Sequence, residues 1–162
     1  MIGHRKMRFL LNLSLSTLLL SISLTASAAD KLQIKNAWIP EAPPVSRVLA
    51  GFATFNNPTD KDIEIVSISS TGFGRIEMHL SKEVDGMARM IPQKSLVVQA
   101  KKQLTLKHGS YHLMLFKPAK RYLAGTTLNF TMTLSNGQTQ NFTAEVRSSM
   151  GQSNNHEHHH HH

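Results

Sequence analysis

Between residues 32 and 147, apolar and polar positions alternate in short runs rich in β-branched residues, with no sustained helical period. The pattern predicts ten strands, at 32–37, 48–56, 63–69, 75–80, 88–91, 96–99, 104–107, 111–116, 127–134 and 140–146. Such a series points to an all-β domain built as an antiparallel Greek-key sandwich or barrel. The intervals carry turn chemistry: Asn57-Pro58-Thr59-Asp60, Asp85-Gly86, His108-Gly109 and Ser135-Asn136-Gly137 all tolerate tight or positive-φ geometry. The stretch "EAPP" at 41–44 predicts an extended crossing, because proline cannot donate to a ladder.

Alternation assigns faces. In "YHLMLF", Tyr111, Leu113 and Leu115 share one side, leaving His112, Met114 and Phe116 on the other. In "RIEMHL", Ile76, Met78 and Leu80 share a side and Arg75, Glu77 and His79 lie opposite. Both histidines are therefore expected on outward, solvated faces. A four-residue hairpin loop at 83–86 would set His79 directly across from Met90. His112 and Met114, at i and i+2, stand about 7 Å apart at Cα on one face. Two His–Met pairs result, and they converge if the two hairpins adjoin at one rim of the barrel.

The ends of the chain read differently. Arg5, Lys6 and Arg8 precede an apolar run over 9–24 and the small-residue stretch Ala26-Ser27-Ala28, so residues 1–28 are read as a secretory signal peptide. Asn12, Ser14 and Ser16 interrupt the run, which disfavours a membrane anchor of about 20 apolar residues. Residues 29–148 then form one domain, and 149–162 a polar tail without periodicity, expected to be disordered. Its terminal histidines fit either a purification tag or a native metal-gathering tail. Removing 1–28 leaves 15 Lys and Arg against 10 Asp and Glu, a net charge of about +5. The excess is spread along the chain without aromatic interleaving, so a nucleic-acid ligand is not expected.

The 162 residues contain no cysteine. Disulfide frameworks and thiolate chemistry are excluded, so the hydrophobic core must hold the fold. Outside the two terminal segments the only histidines are His79, His108 and His112. Two imidazoles with two thioethers, from His79, Met90, His112 and Met114, make a soft, neutral ligand set suited to Cu(I) rather than to Zn(II), Ca(II) or Mg(II). A blue-copper electron carrier would need a Cys thiolate, so a redox role is disfavoured and no enzymatic activity is expected. Thioethers bind without losing a proton, so acid sensitivity of binding would come from the imidazoles. Met78 and Met132 fall on apolar faces and read as core. Met87 beside a turn and His108 within one are accessory candidates, as are His156, His158, His159 and His160 in the tail. Glu77 reads as solvated charge or as a hydrogen-bond partner for an imidazole.

The order His79, ten residues, Met90, twenty-one residues, then His112-Leu113-Met114 resembles the periplasmic copper chaperone family PCu(A)C in every interval. Flanking stretches are similar as well, among them "NAWIPEAPP", "DGMARM" and "HGSYHLML". The resemblance implies a cupredoxin-like β-barrel and a solvent-near Cu(I) site at His79, Met90, His112 and Met114. It implies a periplasmic, monomeric metallochaperone that delivers copper to the CuA centre of cytochrome c oxidase alongside thiol-bearing copper chaperones. A histidine-rich tail would add a Cu(II) site. Leu80 stands where some members have a further Met, and His108 and Ser110 flank Gly109 where Pro-Gly-Gly is frequent. The same ligands would equally serve a copper-sequestering or resistance protein with no dedicated acceptor.

Overall fold

The computed structural model describes residues 31–148. The signal segment 1–28 and the tail with His156, His158, His159 and His160 lie outside the described residues. Ten strands follow in order: β1 (Gln33–Pro40), β2 (Val48–Asn56), β3 (Ile63–Ser69), β4 (Phe73–Val84), β5 (Met87–Gln93), β6 (Leu96–Val98), β7 (Gln103–Leu106), β8 (Tyr111–Pro118), β9 (Thr127–Leu134) and β10 (Thr139–Arg147). No helix occurs among the described residues, and therefore none long and apolar enough to cross a membrane.

Hydrogen bonding orders the strands β5-β4-β8-β2-β1-β10-β9-β3-β6, with β7 on β2. β2 is the corner of the sandwich: Val48–Gly51 pair with β8, whereas Ala53–Asn56 pair with β7. The crossing is tight. A Cβ built on Gly51 would lie 3.3 Å from Leu113 Cβ, so a side chain there would need β8 to give by a few tenths of an ångström. One expectation is corrected. The sheet is mixed, because β1 and β10 run parallel with Trp38 beside Glu145, whereas the other pairs are antiparallel. First and last strands meet across the length of the domain, and no turn between them constrains their direction.

The core is what the alternation demands. Phe130, Met132 and Leu134 of β9, Ala144 and Val146 of β10, and Leu113 and Leu115 of β8 turn inward with Phe55, Ile65 and Val98. Each large apolar side chain so buried contributes roughly 1.5–3 kcal/mol, enough in sum to hold a domain with no disulfide. Met78 and Met132 are core residues, as expected.

Candidate metal centre

β4 and β8 pair over seven rows, and their outward residues oppose one another in register: Arg75 with Phe116, Glu77 with Met114, and His79 with His112. The two imidazoles are thus direct cross-strand neighbours, their centroids 6.0 Å apart. An imidazole nitrogen binds a metal at about 2.0–2.1 Å, so two rings sharing one ion stand at most roughly 6.4 Å apart, centroid to centroid. The observed separation fits within that bound.

These faces were expected to be solvated, yet His79 and His112 are only 6% and 7% exposed. Glu77 caps the first directly. Its Oε2 lies 2.9 Å from His79 Nε2, and its Oε1 accepts from Arg75 Nε at 2.6 Å. Arg75 in turn stands over the Phe116 ring at 4.1 Å. The hydrogen bond from His79, joined by the Arg75 charge, holds the Glu77 carboxyl below the ordinary carboxylate range against some desolvation. His112 Nδ1 donates to the Ser110 carbonyl at 3.0 Å. That same carbonyl accepts from Ser81 N, tying β4 to the β7–β8 turn.

Met90 reaches this face by a register different from the expected one. Asp85 (φ 53°) and Gly86 (φ 74°) form a two-residue turn, so Val84 pairs with Met87 and Ser81, not His79, with Met90. Positive φ at both central residues is the type I′ geometry that matches strand twist, which is why Asp-Gly closes the hairpin here instead of a four-residue loop. The slip is two residues, and a period of two returns Met90 to the His79 face. It stands 62% exposed on edge strand β5. Met90 and Met114 are two strands and four residues apart, about 16 Å at Cα on an unbent sheet. One ion joins both only if the hairpin bends across the face. The four candidate residues therefore share the outer wall β5–β4–β8, not a rim of loops.

The accessory candidates divide. Met87, opposite Val84, points to the other side of the hairpin and does not join the group. His108 packs against Phe52 at 4.4 Å with the rings tilted by 46° and lies 6.3 Å from Trp38, making an aromatic cluster beside the histidine pair. Phe52, 4% exposed, is buried by these rings on the outer face, apart from the main core. Sequence reasoning did not anticipate this platform, although the outward parity of Phe52 relative to inward Ala53 and Phe55 carried part of the signal. Among the described residues, no group of three or more His, Cys, Asp and Glu is placed to hold a metal, which leaves thioethers to complete any set built on His79 and His112.

Comparison with solved structures defines the class. A copper-bound PCuAC domain from PmoF2 superposes with a TM-score of 0.63 at 15% identity, covering 75% of this chain and 96% of that one. Apo-DR1885 from Deinococcus radiodurans gives 0.60 at 26% identity over 77% and 83%, and its CuI form 0.59 at 23% over 78% and 85%. This is a PCuAC-type, cupredoxin-like β-sandwich. A family model described as LpqE-like matches residues 32–146, and the chain belongs to that family. No curated protein matches it.

Proposed function

We propose that this chain is an exported metallochaperone that binds one Cu(I) ion through His79, Met90, His112 and Met114 and passes it to the CuA centre of cytochrome c oxidase. The observation that carries the reading is the His79–His112 pair, 6.0 Å apart across neighbouring strands, with Met114 and Met90 flanking it on the same face. Neutral nitrogen and thioether donors favour the cuprous ion, and the absence of cysteine leaves no thiolate to cycle copper between oxidation states. Copper-bound PCuAC relatives support the choice of metal. A periplasmic setting is supported by the basic and apolar segment before residue 28 and by a family whose description includes the word lipoprotein, although these residues include no cysteine to carry a lipid.

The geometry suits transfer. His79 and His112 are shielded, whereas Met90 is open to an incoming protein that could replace it first. A thiol-bearing chaperone would load the site, and an acceptor would empty it ligand by ligand. The histidine-rich tail would gather Cu(II) as an accessory.

All ten strands lie within 33–147, so a chain lacking residues 150–162 retains the fold and removes the tail histidines. Anaerobic Cu(I) competition titration should give one equivalent for that chain and a large loss for Met90→Ala and for His112→Ala. Equal uptake by all three would refute the site. Cu(I)-loaded protein should then yield its metal to a CuA-domain acceptor; retention would favour the sequestering role.

A further inference from the structure

Arg75, Glu77 and His79 occupy positions i, i+2 and i+4 on one face of β4 and form a continuous polar chain. A carboxylate accepts hydrogen bonds and cannot donate them, so the 2.9 Å contact between Glu77 Oε2 and His79 Nε2 places a proton on Nε2. The neutral ring then carries its lone pair on Nδ1. That atom is buried and has no hydrogen-bond partner. An orphaned buried acceptor costs stability and calls for a reason. His112 is set the opposite way. The Ser110 carbonyl, also only an acceptor, holds the proton on Nδ1 at 3.0 Å and leaves the lone pair on Nε2.

We propose that Glu77 is a positioning residue that keeps the His79 proton on Nε2, so that His79 takes Cu(I) through Nδ1 and His112 through Nε2. The inference rests on the copper reading above. Arg75, stacked on Phe116, holds the carboxylate in place from its other side. With both tautomers set beforehand, neither ring relocates a proton when the ion arrives, which is what hydrogen-bonded partners of metal-binding histidines provide.

Long-range 1H–15N correlation on the full chain, with histidine labelled in 15N, reads each ring nitrogen directly, since Cu(I) is diamagnetic. The apo protein should show His79 protonated on Nε2, and one equivalent of Cu(I) should move His79 Nδ1 together with His112 Nε2. Glu77→Ala should mix the His79 tautomers and lose about 10- to 100-fold in Cu(I) affinity, while still unfolding in one cooperative transition. Glu77→Gln retains an accepting carbonyl oxygen and should restore most of the affinity. If Cu(I) loads normally but perturbs His79 Nε2, or if Glu77→Ala binds as tightly as wild type, this inference is overturned and the copper reading survives. No Cu(I) uptake by wild type would remove both.

Discussion

Arg75 with Phe116, Glu77 with Met114 and His79 with His112 form successive rows on one wall. Removing a side chain has effects that depend on its row. Met90→Ala, at a 62% exposed position, should change unfolding free energy by less than about 0.5 kcal/mol while weakening Cu(I) binding, as urea unfolding and competition titration would show together. Glu77 yields a prediction in pH. Its carboxyl is held below the ordinary range in the folded protein, so its stabilising effect is present above the unfolded value near 4.5 and fades as pH falls through the lower folded value. The melting-temperature gap between wild type and Glu77→Gln should accordingly be present at pH 7 and close under acid. Alternation along each strand revealed which side His79, His112 and Met114 occupy. Their burial was not readable, because alternation assigns a face without saying what covers it.

Strand β5 shows where reading elements from sequence stops. Its existence and its turn residues were visible in "VDGMARM", yet the row facing Met90 depended on whether the loop holds two residues or four. Type I′ geometry at Asp85-Gly86 decided the matter. Gly86→Val should cost about 1–2 kcal/mol through backbone strain alone, since nothing lies within 4 Å of a Cβ there. A shift in the urea midpoint with an unchanged slope would check it. The direction of β1 against β10 was hidden for another reason: turn chemistry governs neighbours in sequence, and these strands have the whole domain between them. The bend of β2 at Gly51 was likewise invisible, being a demand of two partner strands rather than of local propensity.

Taken whole, the sandwich is fastened at its loops by buried polar groups as well as by its core. Asn57, fully buried, donates to Lys61 O and Val98 O at 2.8 Å and accepts from Thr59 N and Oγ1 at 3.0 and 2.8 Å. Asn57→Ala strands these partners and should lower stability by about 2–4 kcal/mol in chemical denaturation. Saturating Cu(I), at roughly 100 times its dissociation constant, should raise the unfolding free energy of wild type by about 2.7 kcal/mol. The long hairpin of β4 and β5 couples that stability to exchange. Beyond Leu80, which still faces Tyr111, β4 has only β5 as a partner, and the Ser81–Ser110 backbone bond is the final fastening before the tip. Met90 sits level with that fastening, near the fulcrum of a lever. A partner gripping the Asp85-Gly86 end would gain mechanical advantage over one thioether, and could prise it away while the two imidazoles keep their hold.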